Sequence, residues 1–513
     1  MGAEAATHPA VLLVPFPAQG HVTPMLHLAR ALAAHGAAAV VVAVPDFIHR
    51  RISAADACGG GGAVELASIP SGIPDDGDAG GGDGAPGFGA IAHAMEHHMP
   101  AHLERMLLAR RRPVACAVVD VLASWAVPVA ARCGVPAAGF WPAMLASYRV
   151  VAAIPDLMEK GLISESGTPI SSKQSDEEDQ TIRGLKILPA QVELRARELP
   201  WLVGDSATQK SRFAFWLQTL HRARGFRSVL VNSFPGEAGA DDDHGHPPAR
   251  QSPRVLPVGP ALLPAAAVGG GVECAKGRAV AAAAAALPQQ QASGNTTSPS
   301  LWRADSSCLA WLDAQRAGSV VYVSFGSWVG PIGPDKVREL ALGLESTGRP
   351  FLWALRRDAS WRAGLPEGFA DRVAAAGRGK VVDWAPQEDV LRHAAVGCYL
   401  THCGWNSTLE AVRHGVRLLC YPVAGDQFVN CAYITGVWGV GVRLGAMSRD
   451  AVRGCVNRVM DSEDGRRLRE NVSVLREKVV TAEARCAAER NVKLFVDEIR
   501  RQQPHLRQIY SVL

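Results

Sequence analysis

Short apolar runs alternate with helical periodicities from end to end of this chain, a pattern that predicts parallel sheets covered by helices. The first run, residues 10–15, reads as a buried strand. Beyond it Met25, Leu28, Ala29 and Leu32 share one helical face, with Thr23 as cap, Pro24 in the first turn and Gly36 as the stop. Further strands are expected near 38–44, 63–67, 115–119 and 228–232. A second series follows Cys308, with strands at 319–325, 351–355, 381–384, 398–401 and 417–421 and helices at 334–348, 389–394 and 406–414. The charged stretch 464–501 reads as terminal helices.

Between residues 236 and 300 the pattern breaks into acidic, glycine, alanine and glutamine runs, too poor in large apolar residues to build a core. At 513 residues the chain exceeds one core, so two domains joined by that linker are expected. Their bounds fall at 1–255, 256–307 for the linker, and 308–485, with a last helical segment at 486–513. An alanine run at 281–286 suits a turn or two of helix, and most of 265–300 is expected to be mobile.

Charge narrows the function little further. Lys and Arg total 53 against 49 Asp and Glu, so nothing marks a nucleic-acid or acidic-membrane partner. Eleven cysteines without a Cys-x-x-Cys pair predict reduced thiols and a cytoplasmic location. The N-terminus lacks a basic n-region, and the most apolar stretch, 118–154, is interrupted by Pro128, Arg132, Pro136, Pro142 and Arg149, so no membrane insertion is expected. A monomer is the default.

Placed on this map, His21, Asp120, Ser327, Trp384, His402 and Asp426 all lie at or just after the carboxyl end of an expected strand. In open α/β sheets that edge binds ligands, and two such edges from two domains make a cleft. From Trp384 to Gln427 the chain reads WAPQEDVLRHAAVGCYLTHCGWNSTLEAVRHGVRLLCYPVAGDQ. This segment resembles the C-terminal signature box of plant family 1 UDP-glycosyltransferases, in its opening Trp-Ala-Pro-Gln, its central His-Cys-Gly-Trp-Asn-Ser, its closing Asp-Gln and the spacing between them. The resemblance extends over nearly the whole chain. It implies the GT-B fold, in which two Rossmann-like α/β domains face each other across a cleft and the last helix crosses back to brace the first.

It also implies roles for a UDP-sugar donor. Trp384 stacks on uracil, the Ala385 backbone reads the base edge, and Gln387, which completes the Trp-Ala-Pro-Gln opening, belongs to the same site, as does Trp405. His402, Asn406 and Ser407 contact the phosphates, with Ser327 as a further hydroxyl. Glu410 accepts from the ribose hydroxyls, and Asp426 and Gln427 bind the hexose, Gln at the last place favouring glucose. Physical chemistry supports the diphosphate placement, since a helix opening after Gly404, at an unusual backbone angle, presents free N–H groups to an anion. The bland alternative makes Ser407 and Glu410 a helix capping box. Pro142, Arg417 and Tyr421 depart from the family's usual residues, the first where a hydroxyl commonly touches the sugar.

On the acceptor side PFPAQGH, ending in His21, resembles the family's catalytic-base motif, and Asp120 in CAVVDVLASW matches its acidic partner. An alcohol is a weak nucleophile at neutral pH, and an imidazole titrating near ~6.5 can take its proton while a carboxylate fixes the tautomer. Asp120 alone also suits a helix cap. His93 and His97 stand at metal-ligand spacing, but with no third ligand apparent an amphipathic helix flanking the acceptor pocket explains them. The implied activity is an inverting transfer of glucose from UDP-glucose, as co-substrate, to a hydroxyl or carboxyl of a small lipophilic acceptor, with no cofactor and no metal. The rival readings are a non-catalytic binding protein of the same fold and a nicotinamide oxidoreductase, the latter lacking a glycine-rich fingerprint, since GGGVECAKG at 269–277 neither follows a strand nor opens a helix.

Overall fold

The computed structural model describes residues 10–37, 39–52, 64–73, 86–110, 112–170, 188, 192, 194–237, 253–263, 304–327 and 329–510, with side chains described as far as Arg501. The alanine run 281–286, the stretch 265–300 and the glycine motif at 269–277 lie outside them.

Seven strands form the first sheet: β1 (Ala10–Val14), β2 (Ala39–Pro45), β3 (Val64–Ile69), β4 (Val114–Asp120), β5 (Ala137–Trp141), β6 (Ser228–Val231) and β7 (Arg254–Pro257). All pairings are parallel, in the order β3-β2-β1-β4-β5-β6-β7. Six more form the second: β8 (Val320–Ser324), β9 (Phe351–Ala354), β10 (Gly379–Val382), β11 (Val396–Thr401), β12 (Arg417–Cys420) and β13 (Gly441–Arg443), ordered β10-β9-β8-β11-β12-β13 and again parallel. Helices cover both faces, so β1, β4, β5, β6, β8, β11 and β12 are buried along their whole length and are largely apolar, with polar residues confined to their ends. Each sheet reverses its winding once, between β1 and β4 and between β8 and β11. Those are the switch points where a crevice opens at the carboxyl edge.

Several expectations need correction. The first helix spans Gln19–Ala34, so it opens ahead of Thr23 and carries Pro24 inside. β7 continues the first sheet to Pro257, past the expected domain bound at 255. β5 and β13 were not anticipated, being short and, for β5, confined between Pro136 and Pro142. Eight described cysteines are free thiols, whereas Cys486 is disulfide-bonded, a departure from the expected all-thiol set.

The terminal helix Ala482–Tyr510 braces the first sheet. Asn491 Nδ2 donates to Pro257 O at 2.8 Å, Arg254 pairs with Glu498 at 2.8 Å, and an Arg500 guanidinium nitrogen donates to Gly36 O at 2.6 Å. Val492, Phe495, Val496 and Ile499 join the same core as β1 and β4.

Arg417, a departure from the family pattern, is buried at 3% exposure at the start of β12. Its guanidinium donates to Gly397 O at 3.1 Å, Val459 O at 2.5 Å and Gly465 O at 3.3 Å. It therefore fastens β12 to β11 and to the carbonyl end of the helix Arg449–Asp461, where a cation is favoured. Arg417→Met is expected to lower stability by about 2–3 kcal/mol, because it strips charged donors from buried carbonyls. The readout is the urea midpoint, with UDP affinity of the folded protein unchanged; an unaltered midpoint contradicts the assignment.

Candidate active site

The two sheet edges enclose a cleft of about 720 Å³. On the first edge, β1 delivers His21 in the opening turn of the helix Gln19–Ala34 and β4 ends on Asp120. Because β1 and β4 are neighbours at the switch point, the two side chains meet: His21 Nδ1 lies 2.8 Å from Asp120 Oδ2. Asp120 is fully buried, and its other oxygen accepts from Leu122 N at 2.9 Å, capping the turn Val121–Ala123. The cap and the His contact thus coexist. With Nδ1 taken, Nε2 is the ring atom left to the cleft, and the imidazole rests against Phe16 at 5.1 Å between centroids.

On the second edge, the loop after β11 is shaped around His402. The unusual backbone angle expected at Gly404 falls instead on Cys403, at φ 66°, whereas Gly404 itself is extended. Gly404 is required for space, since a Cβ there would lie 2.4 Å from His402 Nε2. On the opposite side a Cβ at Gly326 would stand 2.7 Å from the same ring. Burial lowers the His402 pKa to about 4, so the imidazole is neutral and can donate one N–H without carrying charge.

The helix Trp405–Arg413 starts from Gly404 with no side-chain cap. Ser407 and Glu410 therefore lie within the helix, and the capping-box alternative fails. Both are gripped by Gln387, whose Nε2 is 2.9 Å from Ser407 Oγ and 2.7 Å from Glu410 Oε2. The Gln387 oxygen in turn accepts from the Tyr322 and Tyr399 hydroxyls at 3.3 and 3.0 Å. Gln387 is thus oriented from β8 and β11 and itself orients Glu410. Burial raises the Glu410 pKa to about 7 and also raises that of Asp426.

Ser327, Trp384 and Ala385 line the cleft, as do Asp426 and Gln427. Gln427 is less free than its sequence position suggests. Its oxygen accepts from Val423 N at 2.9 Å and Ala424 N at 3.0 Å, holding the loop before it, so only its amide N–H groups remain for a ligand.

Two expected donor residues turn toward the other domain. Trp405 Nε1 donates to Asn232 O at 2.5 Å, and its indole stacks on Phe234 at 6.3 Å with 8° between planes. Asn406 Nδ2 donates to Gly20 O at 2.9 Å. Pro24 explains why that carbonyl is free: four residues on in the helix, it has no N–H to offer Gly20. Asn232, which sequence reasoning passed over, completes the bridge by donating from Nδ2 to Asn406 Oδ1 at 3.4 Å, and the same amide holds Pro142 O at 3.1 Å within its own domain. Its position just after β6, on the same carboxyl edge as His21, was the available signal.

Other groups fall outside the cleft chemistry. The His93 and His97 rings are 4.6 Å apart on the exposed side of their helical segment, while Ile91, Ala94, Met95 and Met99 face the core. This is the amphipathic arrangement, and Phe88 at its start lines the cleft. Cys403, Cys420 and Cys431, from three separate elements, bring their sulfurs within 4.8 Å of one another in the core, a cluster no spacing rule signals.

Facing carboxyl edges from two doubly wound sheets are the GT-B arrangement, and comparison with known proteins gives the class of enzyme. The family model described as UDP-glucoronosyl and UDP-glucosyl transferase matches residues 287–477. UDP-glycosyltransferase 82A1 of Arabidopsis thaliana is 44% identical over 505 residues, covering 96% of this chain and 98% of that protein. DIMBOA UDP-glucosyltransferase BX8 of Zea mays is 34% identical, covering 91% and 93%. The crystal structure of Os79 from O. sativa in complex with UDP aligns with a TM-score of 0.72 at 27% identity, over 95% of this chain and 100% of that one. The chain belongs to the plant family 1 UDP-glycosyltransferases.

Glu410 supplies a pH test. If Glu410 takes the ribose of the donor, hydroxyls donating to its carboxylate favour the ionised form, and binding then lowers a pKa that burial has raised to about 7. Donor affinity is therefore predicted to rise with pH up to about 7 and flatten above, changing by at most about tenfold per unit below it. UDP-glucose is the suitable titrant, since its diphosphate does not ionise near neutral pH. Glu410→Gln should bind more weakly and lose the pH dependence; a variant that keeps the wild-type profile contradicts this role.

Proposed function

We propose that the enzyme is an inverting glucosyltransferase that moves glucose from UDP-glucose to a hydroxyl or carboxyl of a lipophilic small molecule, giving a β-glucoside. The observation that carries the reading is the His21–Asp120 pair at 2.8 Å, on the edge facing the Gly404–Glu410 loop and helix. For an alcohol acceptor, the O–H proton passes to His21 Nε2 as the acceptor oxygen bonds to C1 of the sugar. The C1–O bond to UDP breaks on the opposite side, and UDP leaves with the electron pair. Asp120 holds His21 in the tautomer that accepts at Nε2 and stabilises the imidazolium.

In this reading Trp384 and Ala385 take uracil, Glu410 takes ribose, and neutral His402, with Asn406, Ser407, Ser327 and the free N–H groups of the Trp405–Arg413 helix, takes the diphosphate. Asp426 and the Gln427 amide N–H groups bind the hexose. The glucose preference is supported by Gln427 and by the UDP-glucosyltransferase name of the maize relative. An apolar acceptor is supported by the aromatic wall of Phe16, Phe88, Trp141 and Trp216. Cytosolic residence and a monomeric working state belong to the same reading and rest on the sequence; among the described residues no helix is long and apolar enough to cross a membrane.

The test is UDP release from UDP-glucose across a panel of hydroxylated acceptors. His21→Ala is expected to lower turnover by about 10²–10⁴-fold, the usual contribution of a general base, while UDP affinity persists. Turnover near wild type on an alcohol acceptor removes His21 from this role, and a wild type that binds UDP without turnover is a binding protein.

A further inference from the structure

A run of aromatic rings on the first-domain side of the cleft ends at a cation. From His21 inward, ring contacts run to Phe16 at 5.1 Å, from Phe16 to Phe88 at 6.4 Å, and from Phe88 to Phe215 edge-on at 5.3 Å. The Arg212 guanidinium carbon stands 4.9 Å from the Phe88 centroid, and Arg212 lines the same cleft from the helix Ser206–Ala223. Its Nε is buried without a hydrogen-bond partner. Among the described residues no carboxylate faces it, and burial alone holds its pKa below the usual arginine value.

Its treatment differs from that of neighbouring arginines. Arg222, on the same helix, makes a two-pronged pair with Glu96 at 2.7 and 2.8 Å, and partly buried Arg443 pairs with Glu198. A guanidinium carries five donors in a planar fork suited to a carboxylate. The ring face of Phe88 balances part of its charge but accepts none of those donors in the fork geometry. Arg212 is therefore a half-desolvated cation with an unpartnered buried donor, opening on the cleft read above as the acceptor site.

We propose that Arg212 is a carboxylate-recognition subsite of the acceptor pocket. The acceptor is an elongated, largely apolar molecule with a hydroxyl at one end and a carboxylate at the other. The hydroxyl reaches His21, the body lies along Phe16 and Phe88, and the carboxylate meets Arg212. This rests on the reading of the cleft as an acceptor site, and it narrows that reading: the carboxyl is held two rings away from the base, so the product is a glucoside of the hydroxyl and not a glucose ester. The same separation keeps the acceptor's negative charge away from the donor diphosphate.

The test uses the full chain, UDP-glucose and a series of hydroxyaryl carboxylic acids with spacers of increasing length, each paired with its primary amide. The wild type is expected to favour acid over amide by about ten- to a hundredfold in kcat/KM for the best spacer, the range of a hydrogen bond to a charged partner. Arg212→Gln should abolish that ratio while turnover of the amides and UDP affinity hold, and Arg212→Lys should restore part of it. Binding of the same pairs to the UDP complex is measured alongside. Acid-selective binding that depends on Arg212 without turnover upholds the subsite while sinking the transferase reading. An acid-to-amide ratio near one in both binding and turnover, or one that Arg212→Gln leaves unchanged, overturns the proposal.

Discussion

The position of the reacting groups depends on a bridge between the two domains. Asn406 reaches from the first turn of the helix Trp405–Arg413 to the carbonyl of Gly20, the residue before His21, and Trp405 reaches Asn232 O. The start of the helix Trp405–Arg413 is thereby tied to the backbone that carries His21. Pro24 makes the first tie available, because a helix residue with an N–H at that place would bond the Gly20 carbonyl itself. A feature that costs stability inside a helix here frees an acceptor for the partner domain. The flat stacking of Trp405 on Phe234 fixes the approach of the sheets around this contact.

The wall built by the second domain sets groups held by burial and neutral hydrogen bonds beside the largely buried Arg413–Glu388 ion pair at 3.1 Å. Burial keeps His402 neutral and shifts Glu410 toward neutrality, while Gln387, an amide oriented by two tyrosine hydroxyls, positions both Glu410 and Ser407. Neutral donors fixed by packing can meet a diphosphate with little reorganisation, the condition under which electrostatic stabilisation is most effective. On the facing wall the Asp120 carboxylate is fully buried, and its two oxygens are both engaged.

Much of this was legible in the sequence because carboxyl edges are marked by where apolar runs stop. β1, β4, β8 and β11 are buried along their whole length, and Asp120, His402 and, beyond residues 15–20, His21 were read from where those runs end. What stayed hidden depends on distance in space. Gln427 appeared free to donate and accept, but its oxygen is held by Val423 and Ala424. Ser407 and Glu410 have the spacing of a cap, yet the helix begins too early for one. Thr23 and Pro24 mimic a helix start, and only the structure reveals a turn already formed ahead of them. The three-residue β13 is too short for any periodicity to register.

The central claim is a single displacement in which His21, on the first edge, drives attack on the side of the sugar opposite the UDP held by the second. The anomeric configuration of the product tests it directly. With UDP-α-glucose and an alcohol acceptor, the first-formed glycoside analysed by proton NMR should be the β anomer alone. A retained α configuration would require a second displacement or attack from the UDP side, and would contradict the assignment of these two walls.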